Sequence, residues 1–255
     1  MAFSKLPDDL ISQIIFLTAT TPRDACRVAS VSTVFRSFAD SDEVWRQFLP
    51  PDDRDGVVLP QISRKKSLYL HLCDHPIPVG SNRNMSLSLD KKSGKKCFML
   101  GARDLTIAWG DDRNYWEWIA TPESRFNEVA QLQYVWWFHI IGRIETSMLS
   151  SGTNYAAYLV FRFEGHQEGF DWPVESHVCI GGEELDEGRS VTLDPREGEP
   201  RAVRERAHGW MEIELGEFRN ENGDDGTLVC SLREVVSYKS GLVVEGIELR
   251  PQEMH

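Results

Sequence analysis

Residues 210–215 read Trp-Met-Glu-Ile-Glu-Leu, a stretch in which apolar and polar side chains alternate. Successive side chains of an extended strand point to opposite faces of a sheet. The methionine, isoleucine and leucine would therefore face one way, and Trp210, Glu212 and Glu214 the other. The stretch predicts a half-buried β-strand whose outward face carries one aromatic ring and two carboxylates.

Similar stretches recur after residue 67, each short, rich in β-branched or aromatic residues, and bounded by Gly, Asn, Asp or Pro. They are residues 85–89, 104–107, 135–144, 155–163, 211–215 and 242–249. Residues 121–132, with a capping threonine and an early proline, predict a short helix. The charged residues 183–208 predict a long loop around one short strand near 191–193. Together these patterns predict an antiparallel, jelly-roll-like β-sandwich with one short helix.

The first 50 residues have a helical period instead. Leu10, Ile14 and Leu17 recur at steps of three and four after Pro7, which suits a first helical turn. Several short helices give a core that is marginal alone, so we expect a stabilising partner or an adjoining domain. The chain is thus predicted to be an α+β protein of two parts. They are a helical region at 1–50 and the β-sandwich at 67–255, joined by a polar linker at 51–66.

Composition and charge exclude several classes of partner. The 255 residues carry a net charge of −12, with a pI near 5.1, which disfavours nucleic acid and anionic lipid as partners. The five cysteines are scattered and never form a Cys-x-x-Cys pair, as is usual in a reducing compartment. No apolar run is long enough for a membrane span. We expect a cytoplasmic and nuclear protein that binds neither membranes nor nucleic acid.

The chain contains no recognisable catalytic or metal-binding motif. There is no Gly-x-Ser-x-Gly elbow, no His-x-x-x-His or Cys-x-x-Cys spacing, and no phosphate-binding glycine loop. The acidic run at 220–226 lacks the glycine and glutamate positions of a calcium loop. We therefore predict a non-catalytic protein without a metal or cofactor. A glycosidase with paired carboxylates stays as a minor alternative.

The N-terminal segments LPDDLISQII (6–15) and TPRDACRVASVSTVFRSFA (21–39) resemble the F-box. That resemblance implies docking on a Skp-type adaptor and, through it, on the cullin of a ubiquitin ligase. The implied adaptor-binding residues are Leu6, Pro7, Leu10, Ile14, Val28, Val31, Ser32 and Phe35, with Trp45 closing the module. The alternative is that these side chains form only the core of the small helical bundle itself.

The stretch TIAWGDDRNYWEWI, residues 106–119, places three tryptophans and a tyrosine around a predicted turn. Turns lie at the surface, so we expect some of these rings to be exposed. An exposed ring beside carboxylate or amide acceptors suits a sugar, which has an apolar C–H face and polar hydroxyl edges. Trp118 is expected to pack inward, and Trp136, Trp137 and Phe138 are expected to have structural roles.

Blocks in the second part of the chain resemble the plant phloem protein 2 family, also called Nictaba-like lectins. The blocks are residues 102–110, 115–118, 125–126, 149–160, 209–218 and 239–248. With the N-terminal F-box, the chain resembles class B of that family. In its lectin members, two tryptophans and two glutamates, each pair seven residues apart, are associated with N-acetylglucosamine-containing glycans.

The resemblance implies carbohydrate-binding roles for Trp109 and Trp116, and for Glu214 and Glu221, with Glu212 or Glu217 as alternatives. His208 stands where the family usually has an aspartate, which leaves the preferred sugar open. The implied function is the substrate-recognition subunit of a Skp-cullin-F-box ubiquitin ligase that binds glycoprotein clients. The alternative keeps the ligase role but has the sandwich bind its client through protein contacts, without a sugar.

Overall fold

The computed structural model describes residues 7–51, 56–181, 188–195 and 202–252, and these divide into two compact units. The helical unit holds the described residues of Met1–Ile77 and the segment Leu87–Lys96. The β unit holds Pro78–Ser86 and the described residues of Cys97–His255. Leu6, which the F-box resemblance singles out, lies outside the described residues. Among those residues, no helix combines the length and apolar character of a membrane span.

Five α-helices lie in the described residues of the helical unit. They are α1 (Asp8–Thr18), α2 (Pro22–Ala29), α3 (Thr33–Ala39), α4 (Asp42–Arg46) and α5 (Lys65–Asp74). Side-chain caps start three of them, because Thr21, Ser32 and Ser41 each accept a hydrogen bond from a backbone N–H three residues ahead. The rings of Trp45 and Tyr69 meet at 5.1 Å in the centre of this unit, and both are buried.

Helix α5 begins two residues before the predicted domain boundary at 66/67, so that boundary lies inside a helix. The interpretation of everything after residue 67 as β-structure is therefore wrong for this segment. Leu68, Tyr69 and Leu72 are buried at helical spacing, and α5 packs against α4. The segment is helical because these three side chains complete the core around Trp45.

The β-strands form two antiparallel sheets, as the alternation patterns predict. The strands are β1 (Ile77–Val79), β2 (Met85–Leu89), β3 (Lys96–Gly101), β4 (Thr106–Ile107), β5 (Trp116–Ile119), β6 (Val129–Leu132), β7 (Phe138–Glu145), β8 (Thr153–Glu168), β9 (Val174–Ile180), β10 (Arg189–Val191), β11 (Arg204–Glu205), β12 (Met211–Asn220), β13 (Thr227–Glu234) and β14 (Ser240–Pro251). The larger sheet has the order β1-β2-β3-β14-β8-β12-β11, with β6 also on β14 and β5 on β6. The smaller sheet has the order β10-β9-β13-β7-β4.

The two sheets pack face to face and bury the core between them. A Cβ added to Gly142 of β7 would lie 3.1 Å from Ile247 of β14, and the Ser176 hydroxyl on β9 donates to the Leu215 carbonyl on β12 at 2.9 Å. Strand β8 is central in the larger sheet, and its residues from Tyr155 to Phe161 are all buried. A continuous apolar run is typical of a strand covered on both faces. The predicted sandwich is confirmed.

The helix predicted over 121–132 is wrong. Residues 121–127 form turns, and Val129–Leu132 is strand β6, which pairs with β5 and β14. The Glu245 carboxylate accepts hydrogen bonds from the Ser124 hydroxyl and the Arg125 backbone N–H. Tertiary contacts thus override a local helical pattern. The predicted short strand near 191–193 is β10, while 182–187 and 196–201 lie outside the described residues.

Candidate functional site

Trp109 lies at the surface in a tight turn between β4 and β5. The Gly110 N–H donates to the Ile107 carbonyl at 3.0 Å, and Trp109 itself has a φ of +63°. A non-glycine residue in this left-handed region costs about 1 kcal/mol or more. The side chain is 57% exposed, as the sequence predicts. A strained backbone that presents an exposed indole is typical of a binding position.

Trp116 does not share that surface, and the expectation that both rings face solvent is wrong for it. Its side chain is 1% exposed, its indole N–H donates to the Ala108 carbonyl at 3.1 Å, and its ring stacks on Phe138 at 6.5 Å. Trp118, which is expected to pack inward, is half-buried: the Arg103 guanidinium lies 3.7 Å from its ring centre, and its indole N–H donates to the Gly110 carbonyl at 2.8 Å. Trp116 therefore acts in the core and positions the turn that carries Trp109.

Two tryptophans that sequence reasoning assigned to structural roles are exposed. Val135 is buried and forms a β-bridge with Lys239, so its neighbours Tyr134 and Trp136 point to the opposite face. Trp136 is 62% exposed and Trp137 is 50% exposed, whereas Phe138 is fully buried as expected. The alternation around Val135 is the sequence signal that identifies Tyr134 and Trp136 as outward-facing.

Five rings follow one another at this end of the β unit, and we call them the aromatic surface. They are Trp109, Tyr115, Tyr134, Tyr238 and Trp136. Successive ring centres lie 5.7, 5.3, 6.2 and 5.8 Å apart. Two exposed polar side chains border the surface beside Tyr115, since the Gln133 amide lies 3.4 Å from the Glu117 carboxylate and the Gln133 N–H donates to the Tyr115 carbonyl. The rings and their acceptors match what a sugar requires.

A buried ion pair fixes the turn that carries Tyr238. Lys239 is fully buried and its ammonium group donates to the Glu234 carboxylate and to the Ser237 hydroxyl. Burial alone would raise the pKa of Glu234, but hydrogen bonds from Lys239 and from the Val236 and Ser237 groups hold that pKa below its usual value. Gly169 approaches the same turn so closely that a Cβ there would lie 1.9 Å from the Tyr238 carbonyl oxygen. The aromatic surface is therefore rigidly supported.

The glutamates implied by the resemblance lie elsewhere. Glu212 is buried, not outward-facing, because its two carboxylate oxygens accept from the Arg250 guanidinium at 2.7 and 2.9 Å and one also accepts from Arg206 at 3.0 Å. Glu214 accepts from Arg189 at 2.6 Å beside a cleft of about 160 Å³. Trp210 is buried too, so the predicted outward face of β12 is covered by side chains from other elements.

Glu221 and Trp109 lie near opposite ends of the sandwich. The Glu221 carbonyl accepts from the Gly152 N–H, next to the start of β8, while Tyr238 of the aromatic surface is two residues from Ser240, which pairs with Glu168 at the end of β8. The regularly paired part of that strand, from Thr153 to Phe163, alone spans roughly 30 Å. The structure does not bring the tryptophan and glutamate pairs together. Glu117 is one carboxylate that lies beside the aromatic surface.

Glu248, a buried carboxylate of β14, does not have the character of a glycosidase acid. Burial would raise the pKa of Glu248, but the Arg206, Arg250 and Arg125 guanidinium groups outweigh it and hold the pKa below its usual value. A glycosidase needs one acid with a raised pKa. Among the described residues, no group of three metal-ligating side chains is found either.

The residues expected to bind an adaptor include both exposed and buried side chains. Leu10, Ile14 and Val31 are exposed, Val31 at 68%, so the alternative that they form only the unit's own core is wrong. Trp45 is buried and donates to the Ala39 carbonyl at 2.8 Å, so it supports the unit without lying at its surface. The remaining residues have mixed positions: Pro7 is exposed at the start of α1, the Ser32 hydroxyl caps α3, and Val28 and Phe35 are half-buried.

Comparison with known proteins gives a matching family model for each of the two parts of the chain. The family model for phloem protein 2 matches residues 95–251, which is more than half of the chain. The chain belongs to the phloem protein 2 family. An F-box-like model matches residues 3–50 ahead of the phloem protein 2 domain. The resemblance seen in the sequence is thereby confirmed, and the chain is an F-box protein with a phloem protein 2 domain.

Relatives of known sequence share this arrangement. The F-box protein PP2-B10 of Arabidopsis thaliana is 42% identical over 99% of this chain and 95% of the relative. The putative F-box protein PP2-B12 of the same plant is 42% identical over the full length of both chains. Among solved structures, a family 35 carbohydrate binding module from Clostridium thermocellum covers 60% of this chain and 96% of its own, with 10% identity and a TM-score of 0.37. That overlap is too low to carry an argument about function.

Proposed function

We propose that this protein is the non-catalytic substrate-recognition subunit of a Skp-cullin-F-box ubiquitin ligase in the cytoplasm and nucleus. The helical unit binds the Skp-type adaptor, and the aromatic surface of the β unit binds a glycan on the client. The observation that carries the client-binding part is the row of five rings beside Glu117 and Gln133, held on a rigid support.

The adaptor-binding part is supported by apolar side chains that the helical unit leaves in water. Leu10, Ile14 and Leu17 are exposed along α1, and Val31 and Val34 are exposed in and before α3. Helices α1 and α3 contact each other, so these side chains belong to one small unit. Exposed apolar side chains in a group mark a protein-binding site, because leaving them in water forfeits burial energy.

The adaptor test is co-purification of the full chain with a Skp-type adaptor. Ile14→Glu with Val31→Glu places two charges among the apolar side chains and should abolish the complex, while glutamate keeps a good helical propensity in α1. Val58→Glu is the matched control, since Val58 is also an exposed valine of the helical unit but lies outside these helices. Undiminished binding by the double variant would refute the adaptor-binding part.

The client-binding part is tested on a glycan array with the full chain. Binding to N-acetylglucosamine oligomers or N-glycans should disappear in Trp109→Ala and be partly kept in Trp109→Phe, which retains a ring. The same array separates the alternative function. A blank array with a folded protein would favour client recognition by protein contacts, for which the exposed Val235 and Val236 beside the aromatic surface offer aliphatic area that a sugar does not need.

A further inference from the structure

The two units of the chain differ sharply in their content of lysine. Of the 28 basic residues, eight are lysines and 20 are arginines. The β unit, residues 78–86 and 97–255, contains 14 arginines and a single lysine, Lys239. The helical unit, residues 1–77 and 87–96, contains the other seven lysines and six arginines. The β unit therefore takes its positive charge almost entirely from arginine.

Ion pairing explains only some of these arginines. Arg206 donates to the buried carboxylates of both Glu212 and Glu248, a geometry that a planar guanidinium fits better than an ammonium group. Arg143 and Arg233, however, are exposed, where a lysine would keep the same charge. The remaining chemical difference is nucleophilicity, because a lysine amine can lose its proton and attack a carbonyl carbon, whereas a guanidinium stays protonated.

The one lysine of the β unit is not accessible to an external reagent. Lys239 is fully buried, and its ammonium group donates to the Glu234 carboxylate and to the Ser237 hydroxyl. A reaction at this amine would require both partners to be lost and the turn to open. The folded β unit therefore presents no lysine that could accept a modifying group.

Two lysines of the helical unit, in contrast, are exposed. Lys91 and Lys92 lie in the turn between β2 and β3, and the Lys91 side chain is 63% exposed. Its ion pair with Asp74, 3.5 Å long and itself exposed, is of a kind that contributes little. Lys5 lies outside the described residues. The half-buried lysines of this unit are Lys65, Lys66, Lys95 and Lys96.

The turn that carries the two exposed lysines is fixed to the helical unit. The Asp90 carboxylate accepts hydrogen bonds from the backbone N–H and the hydroxyl of Ser93, both at 2.7 Å. The Tyr69 hydroxyl of α5 donates to the Asp90 carbonyl at 2.8 Å. On the other side of the turn, a Cβ added to Gly94 would lie 3.1 Å from the Pro22 ring of α2. The lysines are thus held at a defined place on the unit that is proposed to bind the adaptor.

We propose that Lys91 and Lys92 are the sites at which the ligase attaches ubiquitin to its own recognition subunit, and that the β unit carries no such site. This proposal rests on the ligase function proposed above. The neutral lysine amine attacks the carbonyl carbon of the ubiquitin C-terminal glycine, which is carried as a thioester on a cysteine of the conjugating enzyme. An amide bond forms, the thioester bond breaks, and the amine proton passes to the departing thiolate. Self-modification thus leaves the client-binding unit unaltered.

The test is self-ubiquitylation of the full chain in a reconstituted ligase that contains the Skp-type adaptor, the cullin and a conjugating enzyme. Ubiquitin without lysines is used, so that each adduct marks one acceptor. Intact mass counts the adducts, and peptide mass spectrometry locates them. Adducts on the wild-type chain should lie at Lys91 and Lys92. Lys91→Arg with Lys92→Arg should lose nearly all of them, because a guanidinium keeps the charge but does not attack the thioester.

Lys65→Arg with Lys66→Arg is the matched control. It removes the same number of lysines from the same unit by the same substitution, but these two side chains are half-buried, and Lys66 is paired with Asp40. This variant should keep the wild-type number of adducts. Co-purification of each variant with the adaptor shows whether the complex is intact, which is expected because arginine preserves the charge at every position.

The results that would overturn the proposal differ from those that would overturn the ligase function. If the adaptor complex forms but the adducts persist in Lys91→Arg with Lys92→Arg, lie mainly at Lys5 or Lys239, or are absent from the wild-type chain, the assigned acceptor sites are wrong and adaptor binding stands. If the chain neither binds the adaptor nor acquires ubiquitin, both proposals are wrong.

Discussion

The backbone conformation of Trp109 should lower the stability of the fold, although the side chain that it presents is proposed to bind the ligand. Its φ of +63° is favourable for glycine and strained for any residue with a Cβ. Trp109→Gly and Trp109→Ala remove the same ring, so the difference between them isolates the backbone. The glycine variant should be more stable than the alanine variant by about 1 kcal/mol in chemical denaturation. Equal stabilities would show that the turn is not strained.

The two tryptophans of the predicted pair should respond differently to truncation. Trp116 is packed between the Ala108 carbonyl and the Phe138 ring, so Trp116→Ala should lower the free energy of unfolding by about 3–5 kcal/mol. Trp109→Ala removes an exposed ring and should cost less than about 1 kcal/mol. Thermal denaturation of both variants checks this. Similar losses in the two would mean that Trp116 is not a core residue.

The roles of single aromatic residues were only partly predictable from the sequence. The turn at Gly110–Asn114 correctly placed Trp109 in water, because turn chemistry is local. Trp116 was misassigned because its burial depends on pairing with Leu132 of β6, and that pairing is long-range. Tyr134 and Trp136 were missed for a related reason. Their orientation follows from the inward position of Val135, which only the bridge to Lys239 fixes.

The turn between β13 and β14 depends on the pair formed by Lys239 and Glu234. Lys239→Met leaves Glu234 without its cation in a covered position and should cost about 3–5 kcal/mol. Replacing both, as Lys239→Met with Glu234→Gln, should cost less than the sum of the single changes, since no unpaired charge remains. Denaturation of the three variants measures this coupling, and additive losses would show that the pair is not coupled.

The same turn links stability to ligand binding. Lys239 also forms the bridge to Val135, so loss of the pair loosens Tyr238, Tyr134 and Trp136 together.

Secondary-structure prediction from the sequence is wrong where tertiary contacts decide the local conformation. Residues 121–132 have a helical pattern, yet the carboxylate of Glu245, more than 100 positions away, holds their first part in turns. The period-two pattern of β12 predicts the strand itself but not the exposure of its polar face, because Trp210 and Glu212 are covered by other elements.

The order of the two parts of the chain can be predicted from the sequence, but their boundaries cannot. Helical spacing and strand alternation differ in period, so the change of structure along the chain was visible. The sequence does not show that Leu87–Lys96 belongs to the helical unit, because this segment has strand-like alternation and its assignment depends on packing. The sequence also does not show that Glu221 and the aromatic surface lie at opposite ends of β8.

The two units should also differ in their response to acid. In the β unit, the folded-state pKa values of Glu248 and Glu234 lie below the ordinary glutamate value of 4.5, because arginine and lysine partners outweigh burial. A carboxylate with a lowered pKa stabilises the fold above 4.5, and that contribution is lost as the pH falls through the folded-state value. The ion pairs of the helical unit, such as Arg27 with Asp24, are more exposed and contribute little.

The β unit should therefore lose stability as the pH falls below 4.5, and tryptophan fluorescence reports on it because every tryptophan except Trp45 lies there. Glu248→Gln cannot ionise, so its unfolding temperature should be lower than wild type at neutral pH and should fall less on acidification. Glu221→Gln, an exposed glutamate of the same unit, is the control and should follow the wild-type curve. An identical acid response in Glu248→Gln would show that the ionisation of Glu248 does not contribute to the stability of the β unit.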